Sequence, residues 1–156
     1  MGVIGYEAFR FLHVVGAIVW LGSGIGLLML NQQFIRARDH RGLLAVGRRT
    51  EALGTKLFAP ASLVTVGAGV VMVATTDTLG FGDLWILIGF VGVVLSGVAQ
   101  MAVAAPAYTR FQALVEEHGP ESEDVHDAAR ALRLGNLLDI GVLLGVVWAM
   151  TAKPML

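Results

Sequence analysis

The sequence has no cysteine and few charged residues. None of its 156 residues is Cys, and only 15% are Asp, Glu, Lys or Arg. The absence of cysteine excludes disulfides and thiolate metal sites. Soluble domains usually carry about a quarter charged residues, and a net charge of −1 offers no basic surface for nucleic acid. The sequence therefore indicates neither a disulfide-stabilised domain nor a nucleic-acid-binding protein.

Long apolar stretches make up more than half of the chain. Four of them, each 19 to 24 residues long, contain one His, one Asp and no other ionisable residue. About 20 helical residues cross the ~30 Å hydrocarbon layer, and lipid requires backbone polar groups to be paired within a helix. The sequence therefore predicts an all-α, polytopic membrane protein, a bundle of four transmembrane helices in one domain, residues 1–156. The predicted spans are about 11–30, 57–76, 84–107 and 134–152.

Positive residues are concentrated on one side of the predicted membrane. Nine of the eleven Lys and Arg residues lie between spans 1 and 2 or between spans 3 and 4. Since positive loops remain in the cytoplasm, both termini are predicted to be non-cytoplasmic. The nine residues are Arg36, Arg38, Arg41, Arg48, Arg49, Lys56, Arg110, Arg130 and Arg133.

The two positive segments are also predicted to be helical. Gly119-Pro120 is the clear helix breaker in the second segment, and the first could turn near 39–42. The spans would then extend into the cytoplasm as two helical hairpins with short turns. Pro60 and Pro106, near the cytoplasmic ends of spans 2 and 3, are predicted to kink them.

Small residues in every span favour close helix packing. Such stripes serve packing within one chain as well as a homo-oligomer or a larger membrane complex, so they leave the partner open. They include Gly22, Gly24, Gly26, Gly67, Gly69, Gly89, Gly92, Ser96, Gly97, Gly141, Gly145 and Ala149.

Helical periodicity groups the polar and sulfur-containing residues into two layers. Residues seven, eleven or eighteen positions apart lie within about 20° of one another on a helix. If these faces point inward, one layer lies near the outer surface and another lies roughly 9–13 Å deep from the cytoplasmic side. The outer layer is His13, Met72 and Met150, and the inner layer is Thr65, Gln100 and Asp139.

His13 is the strongest candidate for a cofactor ligand. A neutral imidazole can bind haem iron or copper, and a thioether from Met72 or Met150 can supply a second ligand. Arg10 could hold a haem propionate, and Trp20 could form a wall beside a flat ligand. Each residue also has a plain structural role. His13 could hydrogen-bond a neighbour or reach the lipid headgroups, and the methionines and Trp20 could be packing residues. Arg10 could form a helix-end charge pair with Glu7 that snorkels to water.

Asp139 is the second ionisable residue within the spans. It could be a proton or cation site with hydrogen bonds from Gln100 and Thr65, or a packing residue that joins helix 4 to helix 3. Ionisable residues inside membranes usually face the bundle and have a function.

The stretch 9–22 resembles the first helix of a small bacterial four-helix membrane family of unknown function. This resemblance implies a location in the bacterial cytoplasmic (inner) membrane. The stretch is also distantly similar to the copper-resistance D membrane domain and to HemJ-type protoporphyrinogen oxidases, which share a first-helix histidine, a tryptophan seven residues later and a nearby glycine. His13, Trp20 and Gly22 match that motif. The HemJ-type resemblance implies a b-type haem that depends on His13. The third-helix lysine of that family has no counterpart in 84–107.

Three hypotheses about function follow. The first is haem b, or a related redox cofactor, bound through His13. The second is an accessory membrane subunit without catalytic activity, and the third is an oligomeric transporter that uses Asp139. The sequence leaves open whether the chain is an enzyme and which substrate it would use.

Overall fold

Within the described residues, eight helical segments form four long rods. In the computed structural model the described part of the chain is residues 3–153, with the backbone alone described at 3, 4, 51–53 and 55. The segments are α1 Val3–Arg36, α2 His40–Leu53, a π-helical segment Gly54–Phe58, α3 Ala59–Ala74, α4 Leu84–Ala99, a second π-helical segment Gln100–Ala104, α5 Ala105–His118 and α6 Glu123–Ala152. Rod 1 is α1, rod 2 is 40–74, rod 3 is 84–118 and rod 4 is α6.

Each rod contains a helix that is long and apolar enough to cross a membrane. These helices are Gly5–Arg36, Lys56–Ala74, Leu84–His118 and Glu123–Ala152. The prediction of four membrane helices in an all-α fold is therefore confirmed by length and composition.

Short sequence signals determine where the chain reverses direction between rods 1 and 2 and between rods 3 and 4. These two reversals lie at 37–39 and 119–122. The side chain of Asp39 accepts a hydrogen bond from the Gly42 backbone N–H at 2.8 Å, which caps the start of α2. Gly119 adopts φ +77°, a left-handed conformation that favours glycine. Ser122 caps α6 by accepting a hydrogen bond from the Asp124 N–H at 3.2 Å.

The two π-helical segments each end two residues before a proline. Pro60 follows Gly54–Phe58, and Pro106 follows Gln100–Ala104. Proline has no N–H, and its ring crowds the carbonyl four residues earlier. A wider π-helical turn relieves this crowding, so both rods change their winding where the sequence predicted a kink.

The rods are arranged with rod 1 and rod 4 at the centre. α1 packs against α3 and α6, and α6 packs against α4 and α5. In the described part of the chain α3 and α4 do not contact each other, whereas α2 contacts α5. Rods 2 and 3 therefore meet only at one end, beyond the apolar stretches.

That end has a compact hydrophobic core. Phe111, Val125 and Ala129 are completely buried, with Ile35 and Leu43 packed against them. These residues come from α1, α2, α5 and α6, so all four rods are joined there.

Only some of the predicted small residues are at helix contacts. A Cβ on Gly89 or Gly92 would contact side chains of α6, and one on Gly69 would lie 3.2 Å from His13 Nδ1. Gly141 and Gly145, in contrast, have nothing within 4 Å of such a Cβ. The glycine stripe of α6 therefore faces away from the described neighbours.

Candidate functional site

A cavity of about 780 Å³ lies between the rods. All eight helical segments contribute to its wall, including both π-helical segments, which are rare and often occur at functional sites. Its volume falls in the range of about 300–1,000 Å³ that is typical of small-molecule sites. The polar lining includes Asn31, Gln32, Gln100, Arg133, Asn136 and Asp139.

Asp139 is buried in this wall and is held by two hydrogen bonds. Ser96 Oγ donates to Oδ1 at 2.5 Å, and Gln100 Nε2 donates to Oδ2 at 2.8 Å. The bond from Gln100 agrees with the sequence prediction, and Ser96 is an additional partner. The expected bond from Thr65 is wrong, because the Thr65 hydroxyl donates to the Ala61 carbonyl at 2.8 Å.

Two buried polar atoms of the wall have no hydrogen-bond partner in the described part of the chain. They are Asn31 Oδ1 and Arg133 Nε. A Cβ on Gly24 would lie 3.0 Å from Ile140 Cδ1, which fixes the level of α1 against α6. Asn31 follows Gly24 by seven residues, and Arg133 precedes Ile140 by seven. Because the two helices are antiparallel, the two unpaired atoms lie at about the same level.

The lining changes from polar to apolar along the cavity. On α6 it runs from Arg133 to Leu143, and on α1 it runs in the opposite direction, from Gln32 to Trp20. Ten residues of helix correspond to about 15 Å. The cavity is therefore amphipathic, with its polar residues gathered at the end nearer the hydrophobic core around Phe111.

The cavity opens sideways between α3 and α4. Leu63 on α3 is 72% exposed, and Gly97 on α4 is also exposed, although both line the cavity. No Cα atoms of α3 and α4 lie within 8 Å of each other in the described part of the chain, so a gap between these two helices faces the apolar surface of the bundle.

His13 lies at the contact of α1 with α3 and does not line the cavity. Its Nδ1–H donates to the Thr65 carbonyl at 2.7 Å, beside the space left by Gly69. A carbonyl can only accept, so in the neutral ring Nε2 carries the free lone pair. Metal-bound histidines typically use their other nitrogen in this way. The ring is therefore compatible with a metal ligand, and haem ligation stays a prediction.

The two methionines of the predicted outer layer are separated. Met72 is buried on α3, whereas Met150 packs against Gly89 at the contact of α6 with α4. His13 is at the α1–α3 contact, so Met150 belongs to a different helix interface. The sequence pattern that placed all three in one layer did not distinguish these interfaces.

The remaining predicted residues also occupy defined positions. Arg10 pairs with Glu7 at 3.4 Å, with both side chains exposed, which is the helix-end charge pair considered above. Trp20 lines the apolar end of the cavity. Among the described residues there is no group of three or more His, Cys, Asp or Glu side chains that could hold a metal ion.

A pair of buried histidines joins the two reversals, which the sequence did not reveal. His40 Nδ1–H donates to the Pro120 carbonyl, and His126 Nδ1 lies 3.3 Å from His40 Nε2. Burial, with positive Arg38 and Arg130 nearby, lowers the pKa of His126, which precedes the apolar stretch 134–152. The two histidines are 86 residues apart, so no local motif could have linked them.

The fold defines the class as an integral membrane protein, with four helices among the described residues that could cross the bilayer. Residues 7–154 match the family described as predicted integral membrane protein (DUF2269), and the chain therefore belongs to that family, whose function is unknown. No curated protein and no solved structure shows significant similarity to the chain. The similarity to the copper-resistance D domain and to HemJ-type enzymes stays a prediction.

Proposed function

We propose that this protein binds a small molecule within the membrane, in the cavity lined by Asp139 and Arg133. The observation that carries the proposal is the pair of unpaired atoms, Arg133 Nε and Asn31 Oδ1, in the wall of a 780 Å³ cavity. Leaving a buried polar group unpaired costs about 1–3 kcal/mol, and more for a charged group. A ligand acceptor at Arg133 Nε–H, together with a ligand donor or a bridging water at Asn31 Oδ1, would offset this cost.

The orientation follows from the positive residues. We propose that the termini are outside, in a bacterial inner membrane, and that the helices extend into the cytoplasm as two hairpins. Nine of the eleven Lys and Arg residues lie on the side of the reversals. The polar end of the cavity, near Arg133, would then face the cytoplasm, where Thr50 and Gln112 in its lining lie outside the apolar stretches.

Cysteine accessibility tests the cavity and the orientation together, because the chain has no cysteine of its own. Asn136→Cys places a thiol in the cavity wall, and Leu138→Cys places one on the exposed face of the same helix, two residues away. An anionic, membrane-impermeant methanethiosulfonate should label Asn136→Cys at least about ten-fold faster, because a thiolate forms in a wet cavity and not in lipid.

Sidedness is read from the same variant. In inverted vesicles the reagent should reach Asn136→Cys, and in intact spheroplasts it should not. Equal, slow labelling at both positions would contradict a wet cavity. Labelling of Asn136→Cys from the outside alone would reverse the proposed orientation.

A second candidate function is haem b binding through His13. It is supported by the Nδ1–H bond to the Thr65 carbonyl, which leaves Nε2 for iron. The group would supply one-electron redox chemistry when bound. The protein purified in mild detergent should then show a Soret band that His13→Ala removes and His118→Ala, at an exposed histidine, retains. A colourless wild-type protein would contradict this candidate.

Transport and assembly are extensions of the cavity proposal. Asp139 could couple the movement of a ligand to that of a proton or cation, in a homo-oligomer whose subunits together complete a pathway. If the cavity proves dry and the protein colourless, an accessory role in a larger membrane complex becomes the favoured hypothesis.

A further inference from the structure

We infer that the ligand is a single-chain amphiphile with an anionic head, such as a fatty acid, which enters from the lipid between α3 and α4. This inference rests on the proposed function and names the class of ligand for the same cavity. It is carried by three features: the unpaired guanidinium, the polarity gradient of the wall and the lateral gap.

Arg133 indicates that the head group of the ligand is an anion. Its side chain forms no hydrogen bond or ion pair with another described residue, and Nε is buried. Asp139, six residues further along α6, is already held by Ser96 and Gln100 and is about 9 Å away along the helix axis. A guanidinium binds carboxylates and phosphates through two parallel N–H groups. The wall thus lacks an anion at its polar end.

The tail is specified by the opposite end of the wall. About 15 Å beyond Arg133 the lining is mainly apolar, with Trp20, Val66 and Leu143 among its residues. The hydroxyl of Ser62 at this end donates to the Ala59 carbonyl of its own helix. A small hydrophilic anion would leave the apolar residues facing empty or poorly hydrated space. An alkyl chain attached to the anion fills that space and keeps the apolar side chains out of contact with water.

The route is specified by the gap between rods 2 and 3. Leu63 and Gly97 lie at the mouth of the cavity and are exposed on the apolar surface. A membrane amphiphile can move its tail through this gap without carrying it through water. The charged head can follow along the polar end, where the cavity reaches Thr50 and Gln112 beyond the apolar stretches.

Quenching of Trp20 by brominated lipid tests this inference. Trp85→Phe and Trp148→Phe leave Trp20 as the single tryptophan of the three. In nanodiscs of zwitterionic lipid, 9,10-dibromostearate should quench Trp20 saturably, with half-saturation at a concentration at least about ten-fold lower than for its uncharged methyl ester. A ten-fold difference in affinity is the smallest effect expected from a hydrogen bond to a charged group.

Matched variants separate the cavity from general surface effects. Arg133→Gln should abolish the preference for the acid, whereas Arg130→Gln, which removes the same charge three residues earlier on the exposed side, should retain it. Gly97→Phe should block the mouth and remove saturable quenching. Gly145→Phe, at another exposed glycine with open space around it, should leave quenching unchanged.

Three results would overturn the inference. The first is equal quenching by the acid and the ester, and the second is an equal loss of preference for the acid in Arg130→Gln and Arg133→Gln. The third is competition by butyrate as strong as that by stearate, which would indicate a small free anion as the ligand. If Asn136→Cys is labelled rapidly but the acid shows no preference, the ligand class is wrong and the cavity proposal stands. If Asn136→Cys is labelled slowly and the acid shows no preference, both the cavity proposal and the ligand class are wrong.

Discussion

Phe111→Ala should lower the free energy of unfolding more than truncation of any smaller buried side chain, because Phe111 is the largest completely buried side chain among the described residues. The Phe111 side chain is 0% exposed and lies among Ile35, Leu43, Val125 and Ala129. Truncating a buried Phe to Ala typically costs about 3–5 kcal/mol, because the cavity left behind collapses only partly. In a chain of this length, that corresponds to a fall of roughly 10 °C in the unfolding midpoint.

The measurement is thermal unfolding in mild detergent, followed by size-exclusion chromatography of heated samples. Phe11→Ala is the matched control, because Phe11 is 66% exposed on the outer face of α1. It should change the midpoint by no more than a degree or two, in keeping with the small effects of most surface substitutions. Similar shifts for the two variants would mean that the core around Phe111 does not hold the rods together.

Gly16→Val should separate α1 from α3. A Cβ at this position would lie 2.5 Å from Thr65 Oγ1, 3.1 Å from the Ala61 carbonyl oxygen and 3.2 Å from Thr65 N. Two of these atoms belong to the backbone of α3, so no side-chain rotation relieves the overlap. Overpacking of this kind typically costs about 1–3 kcal/mol.

The comparison for Gly16→Val is Gly22→Val, on the same helix, where a Cβ would have nothing within 4 Å. Both changes alter helix propensity equally, so the difference in unfolding midpoint reports the contact alone. Gly16→Val should also weaken the bond from His13 to the Thr65 carbonyl, which hydrogen exchange at the ring can follow. Equal midpoints for the two variants would refute the close approach of α1 to α3.

The membrane helices could be predicted because their signal is local. An apolar stretch of about 20 residues has few alternatives in a small chain, and the reversals at Asp39 and Gly119 use capping and turn residues that are visible in sequence. The pairing of Gln100 with Asp139 also followed from helical periodicity. It required only that the faces of α4 and α6 meet, and these rods do pack together.

The rest of the site depends on contacts between distant residues. Periodicity placed Thr65 with Asp139 on the assumption that all four polar faces converge on one axis. In the fold α3 packs on α1 and does not touch α4, so Thr65 faces Gly16 instead. The common level of Asn31 and Arg133 depends on the register of α1 against α6, which no local pattern encodes.

The two π-helical segments determine where the chain can lose a residue. Each wide turn holds one residue more than an α-helix needs over the same length. Deleting one residue within 54–58 or 100–104 would restore regular α-helical winding and keep the faces on both sides aligned. The same deletion one turn further along would rotate one part of the rod by about 100° against the other. Within the four rods, tolerance to single-residue deletions should therefore be confined to the two short segments that line the cavity.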